Sequence, residues 1–304
     1  MSNAIGIESP ATARTAGPRP KQASIFSHAR HVIGDNPVTG FAFALFALIV
    51  LCAIFGPLIE PYNPLTSDVV AKLQPPSAHH WFGTDEYGRD ILSRVIAATR
   101  LDLAIAVFSV ALVFALGGLS GVAAGFFGGW TDLIIGRIAD TIMAFPLFVL
   151  AMGIVAALGN TVTNIVIATA IINYPLYVRI ARSEANVRRD AGFVQAARLC
   201  GNGETRIVLT QLLPNILPLM MVQMSLTMGY AILNAAGLSF IGLGVRPPTP
   251  EWGAILNDGQ NYITLAWWIT VFPGIAILIS VLALNLIGEG LNDALNPRLA
   301  KGGR

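Results

Sequence analysis

The groups in this 304-residue sequence with acid–base, metal-binding or nucleophilic chemistry to offer are four histidines, two cysteines and 17 Asp and Glu. Their spacing gives them little to do together. His79 and His80 are adjacent, and neighbouring side chains do not both face one ion easily, so a solvated loop and no metal site is expected there. His28 and His31 fall in a polar N-terminal stretch. Arg137 and Asp140 stand three apart on one helical face, and Glu289 and Asp293 are expected past the end of the last apolar run. No G-x-x-x-x-G-K-[ST] loop occurs, so the chain is not expected to hydrolyse nucleotide itself.

The polar candidates inside the apolar runs are neutral: Asn173, Gln223, Ser225, Asn234, Ser239 and Asn285. Met220, Met224 and Met228, with Met221 beside them, form a stripe at i, i+4. Methionine fills irregular gaps in packing, and the same adaptability would suit a passage for cargo of variable shape.

These groups are set in a chain that is 54% hydrophobic and 12% charged, about half the charged fraction of an ordinary soluble domain. That composition indicates an integral membrane protein. Roughly 17–25 apolar residues cross about 30 Å of hydrocarbon, and six runs qualify: residues 41–59, 103–127, 141–158, 163–180, 216–243 and 266–287. The first is too long for a signal peptide and has no small-residue cleavage site before Glu60. Cations orient the spans. With the N-terminus inside, only Lys72, Arg89, Arg94, Arg100 and Arg246 of the 19 Lys and Arg fall outside, and both termini are cytoplasmic. Cys52 and Cys200 then lie in different compartments, and no disulfide joins them. The cations form no stripe with interleaved aromatics, so membrane lipid and not nucleic acid is the expected surrounding. No charge falls in the middle of any run, whereas an ion-coupled carrier would need a carboxylate there.

Between the runs, residues 1–36 read as a mobile tail and 60–100 as a turn-rich extracytoplasmic loop. The end of that loop, 87–100, has the i, i+3, i+4 pattern of a short interfacial helix. Gly117, Gly121 and Gly125 strip one face of the second run, which favours close helix packing. Pro175 should kink the fourth run, and Pro214 and Pro218 the start of the fifth.

One polar segment stands apart: "FVQAARLCGNGETRIVLTQLLPN", residues 193–215. Asp190 reads as its N-cap, Phe193, Val194, Ala197 and Cys200 share one side, and Gly201 with Asn202 supplies the stop. About ten residues of helix, near 15 Å long, would lie in the cytoplasm with an apolar face and an arginine rim. Such a helix either rests on its own membrane surface or is a knob for a cytoplasmic partner.

"QAARLCG" followed by "LLP" resembles the cytoplasmic E-A-A-x-x-x-G-x9-I-x-L-P loop of bacterial ABC import permeases. Ala196, Ala197, Gly201, Leu213 and Pro214 fall on that motif, with Gln195 in place of its glutamate and Gln211 in place of its isoleucine. "FGTDEYGRDILSR", "AAGFFGGWTD", "GLSFIGLGVRPPTPEWG" and "LNLIGEGLNDALNPR" are similar to signatures of the C-type permease of the dipeptide, oligopeptide and nickel importer family. The resemblance covers residues 37–298 and leaves cytoplasmic tails at 1–36 and 299–304.

The resemblance implies an all-α polytopic membrane protein with six transmembrane helices in the type I ABC importer (MetI-like) permease fold. Such a subunit is not itself catalytic and binds no cofactor. It sits in the bacterial inner membrane with a homologous B-type permease, two ATPase subunits that use ATP-Mg, and a periplasmic solute-binding protein. Segment 183–215 would be the coupling loop, meeting the ATPase through Asp190, Phe193, Val194, Gln195, Ala196, Ala197, Arg198, Gly201, Leu213 and Pro214. Asn173, Gln223, Met224 and Asn234 would line the path. The turn "GVRPPTPEWG", with Arg246, Glu251 and Trp252, would be a landing surface for the binding protein or a re-entrant turn closing the pore. The implied cargo is short peptides, the alternative being nickel, glutathione or another small solute. An ion-coupled secondary transporter is the reading from another class.

Overall fold

The structure, a computed structural model, describes residues 37–295; the expected tails, 1–36 and 299–304, lie outside the described residues. The chain is all-α, its helices being α1 (Pro37–Ile59), α2 (Ile91–Phe127), α3 (Gly129–Met143), α4 (Leu147–Leu158), α5 (Val162–Arg188), α6 (Gly192–Leu199), α7 (Glu204–Phe240), α8 (Trp252–Gly259) and α9 (Trp268–Leu295). Among the described residues β pairing is limited to one isolated bridge, Thr84 with Asp90. Five helices are long and apolar enough to cross a membrane, and the bent pair α3 and α4 can supply a sixth crossing.

The second span begins earlier than the hydropathy suggests. Residues 91–100 are not a separate interfacial helix but the first turns of α2, whose N-cap Asp90 accepts the Ser93 amide at 2.8 Å. One buried stripe, Ile91, Val95, Ala98, Asp102, Ile105, Ser109 and Val113, runs on without a breaker, so nothing stops the helix between its polar and apolar parts. At 37 residues α2 is about 55 Å long, well beyond the roughly 30 Å hydrocarbon core. Part of the helix therefore stands clear of the lipid.

The third expected span, 141–158, is also redrawn. Pro146 has no amide to donate and caps α4, so the run is broken there and α3 meets α4 at 90°. Gly128 and Gly129, with φ of +65° and +55°, turn the chain sharply out of α2 into α3. In contrast, α5 and α7 run through Pro175 and Pro218 without interruption, and α9 continues beyond the last apolar run through Glu289 and Asp293.

The glycine stripe does what its spacing suggests. A Cβ on Gly121 would stand 2.6 Å from the Val178 carbonyl oxygen, one on Gly117 would stand 2.8 Å from Tyr177 Cβ, and one on Gly125 would collide with the Arg182 carbonyl. Bare backbone on α2 thus lets α5 lie directly against it. A similar approach joins α7 to α9, where Ser225 Oγ donates to the Leu284 carbonyl at 2.7 Å.

Candidate functional site

At one end of the bundle α6 lies across the tips of α2, α5 and α7. Its N-cap is Ala191, which has no side chain to offer the free amides; Asp190 sits one residue outside and pairs with Arg189 at 3.3 Å. The N-cap expectation for Asp190 is thus corrected, and the helix has eight residues, not ten. Gln195 instead ties the start of the helix down, its Nε2 donating to the Asp190 carbonyl at 3.0 Å. A glutamate there could only accept, so the glutamine at this motif position has a local use. At the other end Gly201 takes φ +79° and donates to the Arg198 carbonyl, while Asn202 N donates to the Ala197 carbonyl at 3.1 Å. These bonds satisfy carbonyls that the last turn leaves open.

The helix has two faces. Val194 is fully buried and Ala197 nearly so, in an apolar cluster with Phe126, Ala185, Ile207, Val208 and Leu212. Phe193, Gln195, Ala196, Arg198, Leu199 and Cys200 are exposed, Leu199 at 90%. Arg198 pairs with Glu204, Nε to Oε1 at 3.0 Å, and its guanidinium lies 5.5 Å from the Phe126 ring centre. Leu213 is half-buried against the cluster and Pro214 is exposed just inside the next α-helical stretch, after a wide π turn at Val208–Leu212. Apolar contacts so hold the helix to the bundle, while a second, partly apolar face points away.

The expected path residues are only partly gathered. Gln223 Nε2 donates to Thr227 Oγ1 at 3.2 Å, and the buried Tyr177 phenol faces Thr227 without a satisfactory hydrogen bond, so these three form a polar contact between α5 and α7. Tyr174 adds a bond to Ser120 at 3.0 Å. Asn173 turns back on its own helix, donating to the Thr169 carbonyl, and Asn234 is half-buried without a hydrogen bond among the described residues. Met224 is half-buried in packing, and Met220 is fully buried with its Sδ-methyl closing over Gly118. Tyr174, Tyr177 and Thr227 were not singled out in the sequence; hydroxyls at helical spacing inside otherwise apolar runs were the available signal.

At the opposite end the expected landing surface is corrected. Glu251 and Trp252 are 0% and 2% exposed, leaving Arg246 as the exposed member of the three. Glu251 is the N-cap of α8, accepting the amides of Gly253 and Ala254 at 2.9 and 2.8 Å. Asp102 Oδ2 accepts the Trp252 amide at 3.1 Å, and Trp252 Nε1 donates to the Val95 carbonyl. Asp102, 1% exposed and beside Glu251, lies on α2 just before the apolar run 103–127, whose middle carries no charge. The first residue of α8 is thus bonded to α2, and α8 itself packs against α7 and α9.

The loop at this end is equally ordered. Asp85 accepts the amides of Tyr87 and Arg89 and pairs with Arg89 Nε at 2.6 Å. Arg94, 2% exposed, reaches Asp85 at 3.6 Å and Asp258 at 3.5 Å, and Arg89 also reaches Asp258. Burial pushes the Asp258 carboxyl up against the pull of Arg94 and Arg89, and burial likewise raises Glu86. His80, expected in a solvated loop, instead bonds Asp90 at 2.9 Å. Trp268 Nε1 donates to the Thr84 carbonyl, and Phe82 stacks on Phe272 at 3.9 Å. Loop, α2, α8 and α9 therefore form one tied body.

Residues 117–301 match the family of binding-protein-dependent transport system inner membrane components. Residues 25–76 match the N-terminal transmembrane domain of oligopeptide transport permease C. A probable D,D-dipeptide transport system permease of Escherichia coli K12 is 41% identical over 93% of this chain and 96% of its own length. A di/tripeptide transport system permease of Pseudomonas aeruginosa is 44% identical over 90% of each chain. A glutathione transport system permease of Escherichia coli is 42% identical over 84% of this chain and 85% of its own.

Proposed function

The chain belongs to the family of binding-protein-dependent transport system inner membrane components, and we propose that it carries di- and oligopeptides as one of two permeases of an ABC importer. A homologous B-type permease completes the path, two ATPase subunits drive it with ATP-Mg, and a periplasmic binding protein delivers the peptide. This chain binds no nucleotide and catalyses no reaction; it converts motion into opening. The α6 end is cytoplasmic and the α8 end extracytoplasmic, an orientation supported by the excess of Lys and Arg on the α6 side.

The observation that carries this reading is the two-faced α6. The exposed Phe193, Ala196 and Leu199 give α6 a second face that its own bundle does not use, and a cleft of an ATPase would accept it. The peptide cargo is supported by the names of the relatives, and a glutathione carrier among them keeps that small peptide as the second reading. Uptake of a labelled dipeptide and of labelled glutathione, measured in cells with and without this chain and its ATPases, tests both. Dipeptide uptake should vanish with either deletion and survive collapse of the ion gradient at constant ATP. Uptake that follows the gradient instead would mean an ion-coupled carrier.

A further inference from the structure

Arg100 is the exposed cation of α2 whose guanidinium has no hydrogen bond or ion pair among the described residues. It lies at a groove of about 390 Å³ between α1 and α2, lined otherwise by apolar side chains that include Ile54, Leu103, Val107 and Phe108. Ile54 is 62% and Phe108 64% exposed, on helices long and apolar enough to cross the membrane. An arginine set among exposed apolar groups needs an anionic partner or water, because leaving it bare in hydrocarbon is costly.

The register of the two helices gives its depth. A Cβ on Gly56 would stand 3.5 Å from Ile96 Cγ2, so these residues are level, and Gly56 lies one turn below Glu60 at the end of α1. Arg100 is one turn further along α2, so its Cα lies about 12 Å below the level of Glu60. Helical side chains lean toward the N-terminus of their helix, which for α2 is the extracytoplasmic end, and arginine stems extend along apolar surface to place the head in the interface. Neighbouring carboxylates do not compete: Glu60 makes no ion pair with Arg100, and Asp102 is turned to the interior, bonded to the Trp252 amide.

We infer that the groove between α1 and α2 is a binding site for an anionic phospholipid of the outer leaflet, its phosphate on Arg100 and an acyl chain along Leu103, Val107 and Phe108. This inference rests on the transmembrane reading and on no step of transport. Charge complementarity selects the occupant: a lipid supplies apolar chain and anion in the order the groove presents them.

The test places a reporter in the groove. The assembled complex carrying Phe108→Trp is reconstituted with brominated phosphatidylglycerol or brominated phosphatidylcholine at equal mole fraction, and quenching is corrected for the complex without the new tryptophan. Phosphatidylglycerol should occupy the site with about fivefold preference, the effect of one basic side chain near an anionic surface. Arg100→Gln should abolish the preference while phosphatidylcholine still quenches, and Arg100→Lys should keep it. Equal quenching by both lipids with Arg100 in place would overturn the headgroup site. Quenching by neither would mean that a protein surface covers the groove, and would overturn the inference while leaving the transport reading untouched.

Discussion

The two ends of the molecule are held by different forces. At the α8 end, buried charges do the holding: Arg94 is 2% exposed, and with Arg89 it bridges Asp85 in the loop and Asp258 on α8. At the α6 end, the ion pair that α6 itself makes, Arg198 with Glu204, is exposed, and the attachment rests on Val194, Ala197 and their apolar neighbours. Buried ion pairs resist being broken because either partner left alone is an uncompensated charge, whereas a short helix seated on a few apolar contacts can shift or tilt at modest cost. One end is therefore tied by buried charge and the other seated by apolar contact, and a gate driven through α6, as proposed, would use that difference.

Breaking the frame should give the largest effect. Arg94→Ala leaves Asp85 and Asp258 short of a counter-charge in a buried place and should cost about 3–5 kcal/mol, read as early loss of the folded chain on denaturation of the purified complex. If Arg94→Ala melts like the parent, the outer network is not what holds that end. Gly121→Val comes next, because the added side chain meets the Val178 carbonyl and Ala181. Overpacking of this kind costs about 1–3 kcal/mol and should separate α2 from α5 without touching either end.

The movable end should respond differently. Val194→Ala removes two buried methyl groups, about 1.5 kcal/mol, and loosens α6 where it is seated. ATP hydrolysis by the assembled complex should persist while peptide uptake falls, and equal loss of both would place Val194 in general stability instead. Arg198→Gln removes an exposed pair with Glu204, and exposed pairs contribute little. The melting of the complex should not change, and any effect should be confined to the ATPase contact.

The spans themselves were largely legible, because apolar runs of the right length carry their own signal. What escaped depends on residues distant in sequence. Arg89 and Arg94 look like the rim of an interfacial helix until Asp258 is seen beside them, and nothing local to residues 87–100 announces that partner. Glu251 and Trp252 sit in a proline-rich turn that reads as surface, yet the carboxylate caps α8 and the indole reaches Val95. The break at Pro146 had a local signal, a proline within an apolar run, but hydropathy averaging hid it. For α6, the expected apolar side of Phe193, Val194, Ala197 and Cys200 is half right, since only Val194 and Ala197 are buried, and Asp190 was one residue too early to cap, because the turn at 189–191 sets the helix start through backbone bonds.

If an ATPase moves α6, the contact lies on the exposed face of that helix. Ala196 is exposed while Ala197 is 9% exposed and faces the bundle. A cysteine replacing Ala196, with Cys52 and Cys200 removed, should cross-link to cysteines on co-expressed ATPase subunits, and the pattern should shift on adding ATP; the same change at Ala197 should cross-link poorly. Absence of any cross-link from residue 196 in cells that still import peptide would contradict the account and make α6 a helix that only closes the end of its own bundle.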